Sequence, residues 1–371
     1  MSIGSEGELA EAIRDANGPL AISGGGTRGV NASGDGLSVA GLTGIHLYEP
    51  GALTMVAAAG THLAEMEEAL ALEGQMLAFE PYDLAQVTGA TGHGTIGGVF
   101  ATNASGSRRV QVGGARDFLL GVRFVDGSGS VIKNGGRVMK NVTGYDLVKL
   151  MAGSHGTLGV MSEVSFKVLP KPEAVAQISL GGLDDAQAVK AMAAALGSPF
   201  DVSGAMHVPG GATAIRVEGF AGSVAYRAEK LATLLGEFGQ VTTSDDGTAW
   251  AEMGRLAQFS GEGMSLWRVS VKPSDAPALV GRIAGRHAIS HSLDWGGGRI
   301  WVGARDADIA ALHGDLQREA AALQGHATLV HSPEPDIGPR FQPEAPAVAR
   351  LSAGLRAKFD PRGILNKGLM G

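Results

Sequence analysis

Cysteine is absent from the 371 residues. That excludes a disulfide, a thiolate zinc site, a cysteine-ligated iron–sulfur cluster, a catalytic thiol and any group attached through sulfur. A one-electron relay serving this protein therefore lies on another chain. Basic blocks are also lacking. The net charge is −7, with Lys and Arg spread along the chain, so neither nucleic acid nor a polybasic membrane contact is indicated. No apolar run nears the ~18 residues of a membrane span. The opening Met1-Ser2-Ile3-Gly4-Ser5-Glu6 has neither the basic start nor the apolar stretch of a secretory signal. The expected location is cytoplasmic, with peripheral contact at the inner membrane only through partners.

What is present is a hydrophobic content of 44%, ample for two buried cores. Glycine is the outlier: 58 residues, about twice the usual ~7%. Without a triplet period, and with Val, Leu and Ile abundant, these glycines point to tight turns or to backbone approaching a ligand.

The first segment reads as a helix with capping-box spacing at Ser5 and Glu8 and apolar Leu9, Ala12, Ile13 and Ala16. Gly18-Pro19 stops it. A strand, Leu20–Ile22, enters a glycine loop, and Gly36–Ala40 and Leu53–Ala58 are further strands. A helix follows from Thr61 towards Leu72. Residues 88–170 read as strand-rich, with a hairpin of Leu119–Val125 and Ser130–Lys133 and an alternating strand Val160–Val168. Pro170-Lys171-Pro172 marks a boundary. Beyond it, strand and helix candidates recur in two βαββα units of ferredoxin-like order. Pro333–Pro346 reads as irregular, and Ala347–Lys358 as a short helix. The expected class is α+β, with an antiparallel sheet in the second domain.

Three clusters carry candidate chemistry. Ser23-Gly24-Gly25-Gly26-Thr27-Arg28-Gly29 follows a strand, so its N–H groups could converge on an anion such as a pyrophosphate, although a glycine turn without ligand reads equally well. It is not a dinucleotide fingerprint, because GxGxxG followed by a helix is missing. Gly94-Thr95-Ile96-Gly97-Gly98 leads to Ala101-Thr102-Asn103-Ala104-Ser105-Gly106. Gly153-Ser154-His155-Gly156-Thr157-Leu158-Gly159-Val160 is the third. Each joins small residues, which admit a flat ligand, to hydroxyls.

Thr95 to Gly106 resembles the second FAD signature of the vanillyl-alcohol-oxidase (PCMH-type) flavoproteins. Gly113 to Asp117 with Leu120-Gly121, Lys140-Asn141-Val142-Thr143-Gly144-Tyr145-Asp146-Leu147-Val148-Lys149-Leu150, and the third cluster are similar to that family too. So is the tail Phe359-Asp360-Pro361-Arg362-Gly363-Ile364-Leu365-Asn366. Within the family, the chain resembles the FAD-binding subunit of glycolate oxidase.

The resemblance implies a two-subdomain PCMH-type FAD-binding domain at 1–171, a ferredoxin-like cap at 172–340 and a tail, 341–371, returning to the first domain. It implies that Ser23, Gly24, Gly25, Gly26, Thr27, Arg28 and Gly29 wrap the FAD pyrophosphate. Thr95, Ile96, Gly97, Gly98, Ala101, Thr102 and Gly106 would line the flavin and phosphate path. Gly156, Gly159 and Val160 would hold the adenosine, and Asn366 would close over the flavin. Covalent relatives often place a histidine in the first loop. Gly26-Thr27 stands there, implying non-covalent FAD.

The chain also departs from the family. The cap histidine motif of self-sufficient 2-hydroxy-acid enzymes is missing, and no metal is expected. His287 and His291 lie on a strand-like segment, where a four-residue spacing does not gather metal ligands. His155 replaces a common acid, and Lys367 a common proline. Arg108, Arg109, Arg116, Lys140 and Lys149 are the cations near the motifs that could grip a carboxylate, or could make structural pairs. Tyr145 and Asp146 read as a local fold lock.

Three functions stay open. One is the FAD subunit of a complex with a homologous flavoprotein subunit and an iron–sulfur subunit, oxidising a small 2-hydroxy acid, glycolate, to glyoxylate. The others are a self-sufficient FAD-dependent hydroxy-acid or sugar oxidase, and a non-catalytic structural subunit.

Overall fold

In the computed structural model of the chain, residues 1–370 are described apart from Val30, Asn31 and residues 138–143, 306–307 and 335–336. Lys140 to Thr143 of the family-like motif therefore lie outside the described residues. The chain divides into two compact units: residues 1–105, 113–170 and 343–371, and residues 106–112 and 171–342.

The first unit begins with helix Glu6–Asp15. Ser5 caps it by accepting from the Glu8 amide at 3.2 Å, and the Glu8 carboxylate reaches back to the Gly4 amide at 2.9 Å. Leu9 and Ile13 on its inner face are fully buried, worth roughly 1.5–3 kcal/mol each. The main sheet has five antiparallel strands in the order Ile45–Glu49, Thr54–Ala58, Val160–Lys167, Leu119–Val125, Val131–Gly135. Val160–Lys167 is its central strand and is covered on both faces, where sequence alternation indicated one. Phe166 packs on Phe100 with ring centroids 5.5 Å apart, and on the other face the Ser162 hydroxyl donates to Glu6 at 2.6 Å. The strand-rich reading of residues 88–170 needs correction. Short helices occupy Ile96–Thr102, Arg109–Val112, Ala115–Phe118 and Leu147–Met151.

The second unit holds an eight-stranded antiparallel sheet. Its order is Val241–Ser244, Ala174–Gly181, Ala212–Gly219, Val202–His207, Ser290–Asp294, Arg299–Ala304, Ser265–Ser270, His326–His331. Each half runs βαββαβ. The fourth strands, Val241–Ser244 and His326–His331, complete what the sequence showed as βαββα. The halves join edge to edge where His207 pairs with Leu293. Helices Asp185–Leu196, Ala221–Leu235, Ala276–Ala284 and Ile309–Ala322 share one core with Ile178, Ile215, Val269 and Ile300 of the sheet.

The tail is built into the first unit as an extra edge. The Leu20 amide donates to the Ile364 carbonyl at 2.7 Å, and the Asn366 amide to the Leu20 carbonyl at 3.0 Å. Arg362 donates to the Arg14 and Ala16 carbonyls at 3.1 and 3.2 Å and also to that of Ile13, satisfying the end of the first helix. Asn366 is buried at φ 45°, a left-handed conformation Asn tolerates. Its Oδ1 accepts from the Ile22 amide at 2.7 Å and its Nδ2 donates to the His155 carbonyl at 2.8 Å. Asn366→Ala leaves both partners unpaired in a buried place. Thermal or urea unfolding is expected to register a loss of about 1–3 kcal/mol; unchanged stability would show that the tail is not a lock.

Candidate functional site

A cleft lies in the first unit, lined largely by small residues. It forms where strand ends and loops converge. The strand Leu20–Ser23 delivers Ser23 to Arg28 along one wall. Thr95, Gly97, Gly98, Ala101 and Thr102 come from the start and body of helix Ile96–Thr102. Gly156, Gly159 and Val160 come from the loop before the central strand, and Asn366 from the tail. Four separate sequence motifs thus meet at one place. Ile96 points into the core, Gly29 is buried outside the lining, and Gly106 belongs to the second unit. The sequence reading passed over Ile22, Val39, Ala59 and Met161, while His155, noted there as replacing a common acid, also lines the cleft. Val39 and Ala59 each follow directly on a strand, Asp35–Ser38 and Thr54–Ala58, which is the signal that could have found them.

The glycines here have two distinct jobs. A methyl group on Gly25 would sit 1.7 Å from the His93 carbonyl oxygen, and one on Gly97 would sit 2.7 Å from the Ala59 side chain. These positions are glycine because loops touch backbone to backbone. Gly26 differs: its φ is 71° and nothing lies within 4 Å of an added methyl, so it serves the turn that opens onto the cleft.

That turn leaves donors free. Among the described residues, no acceptor meets the backbone amides of Gly24, Gly25, Gly26, Thr27 or Arg28. The start of helix Ile96–Thr102 is closed by contrast. Its Ile96, Gly97 and Gly98 amides donate to the Thr61 carbonyl, the Ala59 carbonyl and the Thr95 hydroxyl at 3.0, 2.8 and 3.3 Å. Anion binding therefore falls to the first loop and not to the helix end.

Arg28 adds a cation. It donates through Nη1 to the Tyr82 carbonyl and stacks over the Tyr82 ring at 5.4 Å, while its buried Nε has no partner. Burial lowers the guanidinium pKa, opposed by Tyr82 and Asp83. A desolvated cation with an orphaned N–H beside five open amides fits a pyrophosphate, whose oxygens would satisfy both.

The other cations near the motifs are placed differently. Arg108 forms a buried bidentate pair with Glu218 at 2.8 and 2.9 Å. Arg109 stacks over Trp295 at 4.6 Å. Lys149 donates to the Arg116 and Leu119 carbonyls at 2.7 and 2.9 Å, tying down the end of a helix, and Arg116 is exposed. Asp146 caps helix Leu147–Met151 through the Lys149 amide, while the Tyr145 side chain is exposed. His287 pairs with Asp315 at 3.0 Å and His291 with Asp185 at 2.9 Å, so the two histidines diverge. Among the described residues no three His, Asp or Glu side chains gather as a metal site.

The family model for an FAD binding domain matches residues 2–135. The glycolate oxidase subunit GlcE of Escherichia coli is 35% identical over 98% of this chain and 95% of its own length. The glycolate oxidase subunit GlcD of Bacillus subtilis and a D-lactate dehydrogenase of Anaerostipes hadrus are each 44% identical over short stretches, 21% and 22% of this chain and 17% of theirs. Among solved structures, alkyldihydroxyacetonephosphate synthase shares the fold. Its TM-score is 0.71 at 15% identity, over 99% of this chain and 76% of the other.

Two substitutions separate the roles in the cleft. Gly25→Ala is expected to abolish FAD binding and lower the melting temperature together, because the His93 contact cannot form. Arg28→Met is expected to stay folded while weakening FAD binding by about tenfold or more, the worth of a charge-assisted hydrogen bond. Titrating each apoprotein with FAD while following flavin fluorescence checks both; unaltered affinity in Arg28→Met would remove Arg28 from the site.

Proposed function

The chain belongs to the family of FAD-binding flavoproteins that includes the Escherichia coli glycolate oxidase subunit GlcE, and from that premise we propose that it is the FAD-binding subunit of a glycolate oxidase complex. It is an FAD-dependent oxidoreductase. In the proposed reaction glycolate is oxidised to glyoxylate. The end-to-end similarity to GlcE carries this reading.

The cleft residues take definite parts in it. The amides from Gly24 to Arg28, with the Arg28 guanidinium, hold the pyrophosphate. Thr95, Gly97, Gly98, Ala101 and Thr102 give a small-residue wall for the flat ring system. Gly156, Gly159 and Val160 meet the adenosine end with main-chain groups, and Asn366 keeps the tail closed against that loop. The first loop offers only the hydroxyls of Ser23 and Thr27, in keeping with non-covalent binding. Bound FAD supplies a two-electron acceptor for the hydride leaving the hydroxyl-bearing carbon.

Onward transfer requires a partner. With no cysteine in the chain, an iron–sulfur relay resides on a separate subunit, beside a flavoprotein subunit homologous to this one. Among the described residues no helix is long and apolar enough to cross a membrane, so contact with one would come through those partners.

The visible spectrum of the purified chain, before and after anaerobic glycolate, tests the proposal. A flavin spectrum that bleaches only with the partner subunits is the expected result. Bleaching of the chain alone would mean a self-sufficient enzyme, and absence of flavin after reconstitution would mean a structural subunit.

A further inference from the structure

The eight-stranded sheet of the second unit has two faces of opposite character. Trp267, Val269, Ile300, Val302, Ala327 and Leu329 point into the core with the helices. Their alternate neighbours therefore project from the other face. There Arg268 pairs directly across with Trp301 on one side and Thr328 on the other. One step along, Ser270 pairs with Arg299 and with His326, so two arginines and a histidine are diagonal neighbours on one patch.

Among the described residues, Asp294 and Glu218 are already engaged. Asp294 accepts from Arg299, from the Ser107 hydroxyl at 2.8 Å and from the Trp295 amide at 2.7 Å. Glu218 is held by Arg108 at 2.8 Å and lies 3.2 Å from Arg216. Arg268 is the remainder. It is half-buried, and among the described residues it meets neither a hydrogen-bond acceptor nor a carboxylate. His326, on the edge strand of the sheet, is exposed. Arg268 therefore carries uncompensated positive charge partly withdrawn from water, a cost that a bound anion offsets.

We infer that Arg268 is the carboxylate-binding residue of the second unit, taking the carboxylate of a small 2-hydroxy acid in a bidentate grip, with the Thr328 hydroxyl and the Trp301 ring as its immediate walls. The fork of a guanidinium matches the two oxygens of a carboxylate. The identity of the acid rests on the function proposed above; the anion site itself rests on the unpaired Arg268.

Calorimetric titration of the full-length, FAD-supplemented chain with glycolate, acetate and inorganic phosphate tests this. Glycolate and acetate are expected to bind and phosphate to bind more weakly. Arg268→Met is expected to weaken glycolate binding about tenfold or more. Arg268→Lys, which keeps the charge but loses the fork, should fall between, and Arg282→Met, on a helix elsewhere, should match the unaltered chain. If Arg268→Met does not fold, weakened binding in folded Arg268→Lys supports the assignment and unchanged binding overturns it. It is also overturned if Arg268→Met binds glycolate like the unaltered chain, if phosphate binds as tightly as glycolate, or if the unaltered chain binds no carboxylate. Absorbance of the same samples separates the two proposals. Retained flavin without carboxylate binding removes only the Arg268 site, whereas carboxylate binding without flavin removes the flavin-dependent reaction.

Discussion

Where Gly25 meets the carbonyl of His93, the two backbones approach so closely that even a methyl group has no room. The cleft depends on this contact. It holds the first loop against the segment leading into helix Ile96–Thr102, and so fixes which way the loop's amides face. The Thr95 hydroxyl closes the helix start by accepting from Gly98. With the helix donors spent internally, the open amides of the first loop become the place where an anion can be held. Glycine abundance in this chain is thus partly a packing requirement and only partly a matter of ligand approach.

The tail completes the same site from a distance in sequence. Asn366 joins Ile22, at the root of the first loop, to His155, in the third. Arg362 secures the preceding stretch to the end of the first helix. Three loops separated by well over a hundred residues are therefore held by a single buried amide. Burial makes each of its bonds matter, since neither partner could turn to water instead.

Much of the cleft was legible in the sequence because short motifs of small residues and hydroxyls keep their local meaning. Ser23 to Arg28, Thr95 to Thr102, Gly156, Gly159, Val160 and Asn366 were picked out from motif and resemblance, and the structure gathers most of them around one cavity. What escaped was non-local. Val39 and Ala59 reach the cleft only because their strands end there. The strand Ile45–Glu49 has no alternation strong enough to announce it, and Val160–Lys167 reads as half-exposed until the helices covering both its faces are known. Gly97 and Gly98 argue against a helix by propensity, at roughly 1 kcal/mol per glycine, yet sit inside one, and at Gly97 any larger residue would strike Ala59. Arg268 carried no signal at all. An arginine without a carboxylate is recognisable only once the partners of every neighbouring acid are known.

The central claim is that this chain grips its cofactor chiefly through the pyrophosphate, at the first loop and Arg28. Competition binding to the apoprotein tests it most directly, with FAD displaced in turn by ADP and by riboflavin. The account predicts that ADP, which carries the diphosphate, displaces FAD and that riboflavin, which carries only the ring system, does so far more weakly. Displacement by riboflavin as effective as that by ADP would contradict it.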